Sequence, residues 1–384
     1  MGPGRLAMTD TPDRRRRRGT PLPAEATGAR PGPGSVFFKV LSGALSGALM
    51  VLLIVAIIPA LTEFGSVGES LKSMSLLTLS YLFLAAIAIR VVLAASYSVL
   101  TPELGLGRSL IAREASSAVS NVIPGPSGTA AQYGILRSWN VSLEHFARAT
   151  VAVSVSTDAL IFIGPGVFFV IWTVIGQPGP SGGDHVWLVG LTAIVLAVVA
   201  VLVVGAVASS VRLARWMGRA GQACVNPFQG LFGKPRITTW PDSCVDMRAD
   251  LVDTLRHDGI KLLATVIGGY LLNGLLIVAC LYACGISRSQ MPLTLGLMLY
   301  AIGRIATIVQ ITPGGVGITE IAYTAVYVAV LSETAKPSIV AGVLVYRALT
   351  YALPIVTGAF AYLIWRLMRH QELHEQRTSA EASD

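Results

Sequence analysis

Five charged residues stand inside otherwise apolar runs: Arg90, Asp158, Arg304, Glu320 and Arg347. A charge at the centre of a bilayer costs about 2.5–3.5 kcal/mol on insertion scales, so each needs a partner or a wet cavity. Each therefore marks an ion pair or a binding site. Glu320 comes seven residues after Pro313, close behind the turn Pro313-Gly314-Gly315-Val316-Gly317. There it either complements the positive end of a helix or meets a cation, an amine headgroup or a proton. The turn leaves backbone N–H groups free for an anion such as a phosphate, and its glycines permit positive φ and close approach. Arg304, nine residues ahead of Pro313, is placed to reach a phosphate or Glu320. Asn121 and Gln310 each stand three residues before a proline, Pro124 and Pro313, where an amide side chain can bond the backbone freed at a break. Arg113, Glu114 and Arg137 read as anchors at the membrane interface.

Soluble chemistry has little support. No phosphate-binding loop, Ser–His–Asp set or dinucleotide fingerprint is present, and His370 and His374 lie in a polar tail. The four cysteines, Cys224, Cys244, Cys280 and Cys284, form no C-x-x-C pair, so neither a zinc site nor a disulfide framework is expected. The reading is of no catalytic set, no metal and no cofactor.

The elements that must hold these residues follow from composition. Of 384 residues, 53% are hydrophobic and only 13% charged, against about 25% charged in an ordinary soluble domain. The class is an all-α polytopic membrane protein. Apolar runs over 40–61, 75–98, 148–175, 186–209, 261–284 and 338–366 are each near the ~20 residues a bilayer core requires. Residues 108–140 and 293–332 are different. Each holds two short pieces around a Pro/Gly break, Pro124-Gly125-Pro126-Ser127-Gly128 in one and Pro313 to Gly317 in the other. Broken backbone at membrane depth survives only inside protein or beside a water-filled cavity, so both read as re-entrant helical hairpins beside about six full spans. Pro165 and Pro354 lie within long spans and are expected to kink them.

Residues 1–34 are Pro-, Gly- and Arg-rich and read as a disordered basic segment. A membrane domain covers 35–368, with a polar loop at 210–260 and a tail at 369–384. The net charge is +8. Assigning loops to sides puts 21 Lys and Arg on one side and 3 on the other, which predicts both termini in the cytoplasm by the positive-inside rule. The same placement makes anionic lipid, not nucleic acid, the partner of the basic residues.

The chain also matches itself at an offset of 189 residues. Pro124, Gly125 and Gly128 fall on Pro313, Gly314 and Gly317, and Pro165 falls on Pro354, so two prolines 41 apart recur 41 apart. Repeat one covers about 75–175 and repeat two about 261–366. Their predicted orientations are opposite, the arrangement in which transporters place substrate at the midplane between inverted repeats. Asp158 and Arg347 occupy equivalent positions and are expected to approach each other, as an ion pair or as part of a headgroup site.

Pro313-Gly314-Gly315-Val316-Gly317-Ile318-Thr319-Glu320, followed by Tyr346-Arg347 and Pro354, resembles the lysylphosphatidylglycerol synthase transmembrane-region family, also described as flippase-like. The resemblance covers roughly residues 40–368. It departs in the first repeat, where Ala130-Ala131 follow the turn and Ser154-Val155-Ser156-Thr157 precede Asp158 without the family's arginine. It implies the stand-alone membrane module, without the soluble aminoacyltransferase domain that some members carry, so synthase activity is not expected.

The expected function is handling or translocation of a lipid, such as an anionic or modified phospholipid or a glycolipid, between leaflets of the cell membrane. Phosphate would meet the Gly314–Gly317 turn and Arg347, and Glu320 would meet a cationic group. The alternatives are a secondary transporter of a small solute or ion using Asp158 or Glu320, and an accessory protein that holds a partner enzyme through the 210–260 loop.

Overall fold

The computed structural model describes residues 74–123, 125–175, 183–231, 238–308 and 312–381. The expected first span at 40–61 and the basic segment at 1–34 lie outside them, as do Pro124 and Gln310. The described residues are helical, with no strand among them. The protein is an all-α polytopic membrane protein.

Helix α1 (Leu76–Leu100) opens on Ser75, whose hydroxyl accepts from the Thr78 N–H at 3.1 Å. Then come α2 (Gly105–Val122) and α3 (Ser127–Arg137), α4 (Leu143–Ile175) and α5 (Gly183–Ser209). The polar stretch after α5 forms α6 (Val211–Leu231) and α7 (Trp240–His257), packed on each other. The second half holds α8 (Gly259–Ala283), α9 (Leu293–Ile305), α10 (Ile318–Leu331), α11 (Lys336–Arg347) and α12 (Leu353–Glu381). Among the described residues six stretches are long and apolar enough to cross a membrane: Leu76–Leu100, Leu143–Ile175, Gly190–Ser209, Gly259–Ala283, Pro313–Leu331 and Glu333–Glu372.

Both expected breaks fall between packed helices. Helix α2 folds back onto α3 through Gly125, at φ 85°, and the Ser116 hydroxyl donates to the Gly128 carbonyl at 2.8 Å. Helix α9 folds back onto α10, and the Tyr327 hydroxyl donates across to the Gly296 carbonyl at 2.9 Å. With its turn, the α10 limb is 19 residues long and apolar enough to span, more than a marginal half-helix.

Long-range packing crosses between the two halves. The first limb of one hairpin, α2, lies along α12, and the first limb of the other, α9, lies along α4. Helices α1 and α8 pack side by side between them. Gly358 of α12 meets the backbone of Glu114 so closely that a Cβ there would clash with its carbonyl. The largest core cluster gathers side chains from α1, α4, α8, α9, α10 and α11, including Tyr300, Tyr323 and Tyr327, all buried.

The expected kink at Pro354 has a specific form. Residues Ala348–Ala352 make a π-helical turn between α11 and α12, and Pro354 follows as the second residue of α12. Proline has no N–H to give the carbonyl four residues back, and a widened turn accommodates that loss. Pro165 lies inside α4, which stays helical across it.

Candidate functional site

The site is built where the second hairpin's turn meets the π-turn. Pro313 starts a short 3₁₀ turn in which Gly314 and Gly315 hold φ 58° and 69°. Gly317, at φ 85°, caps α10. These positive values suit glycine, which has no Cβ to clash. At Gly314 a Cβ would also strike the Tyr351 ring.

Glu320 is the third residue of α10. Its Oε2 accepts from the Gly317 N–H at 2.7 Å, the return half of a capping box. Its Oε1 accepts from Arg347 Nε at 2.8 Å, with the two side chains 19% and 12% exposed. Arg347 also donates from Nη2 to the Gly314 carbonyl at 2.8 Å and lies over the Tyr351 ring, 5.1 Å from its centroid. The cation Glu320 meets is therefore Arg347. The expected approach of Arg347 to Asp158 is not what forms. Glu320, 27 residues before Arg347, captures the guanidinium, because the hairpin brings the start of α10 onto the end of α11.

The first hairpin reaches the same place. Asn121, near the end of α2, donates from Nδ2 to the Tyr351 carbonyl at 2.9 Å, and the Tyr351 hydroxyl donates to the Asn121 carbonyl at 3.2 Å. The reciprocal pair satisfies backbone of the π-turn and of the end of α2; the carbonyl Asn121 bonds is Tyr351's and not one freed at its own Pro124 break.

A second ion pair lies nearby. Arg90 of α1 donates from Nε to Glu114 Oε1 at 2.6 Å, and the Thr357 hydroxyl donates to the other carboxylate oxygen at 2.6 Å. Glu114 is 5% exposed, so it is a buried link between α1, α2 and α12 and not an interface anchor.

Two adjoining cavities open between these groups. The first, about 190 Å³, is lined by Arg90, Arg304 and Arg347 with Gly314, Gly315 and Thr319. The second, about 270 Å³, is lined by Arg113, Asp158, Ser154, Thr157, Tyr270 and Tyr300. They share Leu93, Asn273 and Arg304. Together they reach the size range of small-molecule sites, about 300–1,000 Å³.

Arg304 is the group held in common, and it differs from Arg90 and Arg347. Among the described residues it has no carboxylate within ion-pair distance, and its buried Nε has no hydrogen-bond partner. Four tyrosines make a ladder beside it. Tyr270 and Tyr300 have ring centroids 5.3 Å apart, Tyr300 and Tyr323 6.1 Å, and Tyr323 and Tyr346 5.8 Å. The hydroxyls of Tyr270 and Tyr300 are buried without a partner among the described residues, as is Arg90 Nη2. Buried polar groups are ordinarily hydrogen-bonded. These atoms are closed off with almost no exposed area, and Tyr270 Oη packs against Gly164 of α4, so they are donors short of a partner inside the packed core.

The profile of the family described as Lysylphosphatidylglycerol synthase TM region matches residues 40–358. The chain belongs to this family. Comparison with curated proteins and with solved structures gave no match. The match spans both hairpins and both halves of the cavity wall, so Arg90, Arg304, Glu320 and Arg347 all fall within the lysylphosphatidylglycerol synthase membrane region. Sequence reasoning had singled out Arg304, Gly314, Gly315, Gly317, Glu320, Arg347, Asp158 and Asn121. The structure gathers Arg304, Gly314, Gly315 and Arg347 around the first cavity, with Glu320 and Gly317 directly behind them. Asp158 stands in the second cavity, and Asn121 braces the π-turn. It missed Glu114, Thr357 and the tyrosine ladder. The ladder's signal was four tyrosines in otherwise apolar runs.

Proposed function

We propose that this membrane protein moves a phosphate-headed lipid between leaflets and holds the headgroup in the first cavity. The observation that carries the reading is Arg304, a guanidinium without a carboxylate partner among the described residues, lining one cavity with two guanidiniums that carboxylates hold in place. Glu320 and Glu114 orient Arg347 and Arg90; they do not neutralise the cavity, because Arg304 adds a charge of its own. A phosphate supplies the missing anion and the acceptor oxygens, and guanidinium is suited to bind it through paired donors. The turn itself does not offer the free N–H groups expected of it: Gly315, Val316 and Gly317 donate to Thr312 O, Pro313 O and Glu320 Oε2, so on this reading the guanidiniums hold the phosphate.

On this reading the two hairpins enter the cell membrane and turn back, with α2 packed against the Pro313–Gly315 turn. Both termini are cytoplasmic, and the protein is a transporter, not an enzyme. Reconstitution in liposomes carrying a fluorescent anionic phospholipid tests it, by comparing wild type with Arg347→Ala and Glu320→Gln at equal incorporation. Loss of leaflet exchange in both variants is expected, and exchange at wild-type rate in both would defeat the reading. A second reading, an ion-coupled solute transporter, rests on Asp158, which is accessible in the second cavity. It requires uptake that follows an imposed pH gradient.

A further inference from the structure

We infer that α6 is an interfacial helix, with one face sunk among the acyl chains of the protein's own bilayer and an arginine stripe on anionic headgroups. The inference does not depend on transport. Helix α6 begins after a single residue, Ser210, beyond the α5 span, so it starts at the membrane surface. Helix α7 holds it at that level. Arg248 of α7 donates from Nε to the Val207 carbonyl of α5 at 3.2 Å, and Asp250 of α7 pairs with Arg148 of α4 at 3.2 Å. At about 100° per residue, α6 presents three faces. Ala214, Gly218 and Gly221 close against α7, where a Cβ at Gly218 would strike the backbone of Trp240 and Pro241. Arg212, Arg215 and Arg219 form an exposed second face. Leu213, Trp216, Met217 and Cys224 form an apolar third, with Trp216 60% and Met217 46% exposed.

Charge and position choose the occupant. Helix α6 carries three arginines and no acid. Only Arg215 has a carboxylate within ion-pair distance among the described residues, Asp242 at 3.8 Å. The acids of this helix pair lie on α7, where Asp242, Asp246 and Asp253 are exposed along one face. A helix with an apolar face beside a basic stripe is the form that lies in a bilayer interface, and tryptophan is enriched at that depth. Arginines at the edge of the apolar face keep their stems among the chains and their heads on phosphate. The positive-inside count puts α6 at the cytoplasmic leaflet, whose anionic lipids attract it.

Cys224 is a native reporter on the apolar face. Cys280 and Cys284 are buried, and Cys244→Ser removes the remaining thiol. The full chain, one copy per nanodisc, is treated with a neutral polyethylene glycol maleimide in phosphatidylcholine discs with and without phosphatidylglycerol. Modification requires α6 to lift, so its rate follows the undocked fraction. Phosphatidylglycerol should slow the reaction. Arg212→Gln combined with Arg219→Gln should restore it by about fivefold per arginine. A bimane on Cys224 should be quenched by lipids brominated in their chains. A bimane on Asp246→Cys, on the acidic face of α7 in a Cys224→Ser chain, should not.

Modification of Cys224 as fast as that of Asp246→Cys in the mixed discs would overturn the inference. So would protection without quenching, which would mean that protein covers the face. Protection seen only with two chains per disc would also overturn it, giving the face to a second copy. Equal rates with and without phosphatidylglycerol would remove the arginine contact and with it the anionic partner.

Discussion

Replacing Arg304 with methionine should make the protein more stable and unable to recognise its ligand. Methionine has much the same length and no charge. A buried ion costs several kcal/mol to desolvate, and replacing buried charges with packed apolar side chains often stabilises by about 1–4 kcal/mol. Arg304 recovers little of that cost, because among the described residues it lacks a carboxylate partner and its Nε lacks a hydrogen bond. Water in a cavity of about 190 Å³ offsets part of it. The expected gain is therefore toward the low end, about 1–2 kcal/mol.

Anionic lipid should stabilise wild type and leave the variant unchanged. A ligand at 100 times its Kd stabilises by about 2.7 kcal/mol through mass action. Thermal unfolding in detergent is measured for both with and without phosphatidylglycerol. Wild type should gain stability with lipid, whereas Arg304→Met should start higher and gain nothing. A variant destabilised by more than about 1 kcal/mol would show that Arg304 holds the fold, and equal lipid stabilisation of both would show that it does not meet the headgroup.

The Glu320–Arg347 pair should behave as a coupled unit. Glu320→Leu and Arg347→Met should each cost about 3 kcal/mol by leaving a lone charge, and the double variant should cost less than either; denaturant titration in mixed micelles gives the cycle. Gly314→Ala should lose about 1–2 kcal/mol from its left-handed backbone alone, with more from the Tyr351 contact, which Tyr351→Ala relieves; the same titration reads it. Thr357→Val should cost about 1–2 kcal/mol by removing a 2.6 Å bond to a carboxylate without changing lipid preference, because Thr357 lies behind Arg90 and not in the cavity wall. Asn121→Ala should loosen the contact between the first hairpin and the π-turn, read as faster hydrogen exchange across Ala348–Ala352.

The sequence carried the spans because twenty apolar residues have few other uses. It carried the two breaks because Pro124-Gly125 and Pro313-Gly314 are strong punctuation in an apolar chain. It did not carry the pairing. Position 158 matches position 347 in the repeat, but repeat equivalence says nothing of distance, and the turn before Glu320 delivers a carboxylate to Arg347 first. Glu114 misled for a related reason. Beside Arg113 and Ser116 it reads as part of a wet surface, yet α1 and α12 enclose it, and nothing near it in the chain names Arg90 or Thr357. The tyrosine ladder draws on α8, α9, α10 and α11, so only packing assembles it. Asn121 was expected to bond backbone at its own Pro/Gly break; it bonds the Tyr351 carbonyl 230 residues away, a partner that only the packing of α2 on the π-turn supplies.

Leaflet exchange of a fluorescent anionic phospholipid in proteoliposomes, compared among wild type, Arg304→Lys and Arg304→Gln at equal incorporation, tests the central claim most directly. The account predicts exchange by wild type, reduced exchange with lysine, which keeps the charge but not the paired donors, and none above empty vesicles with glutamine. Exchange by Arg304→Gln at the wild-type rate would contradict it.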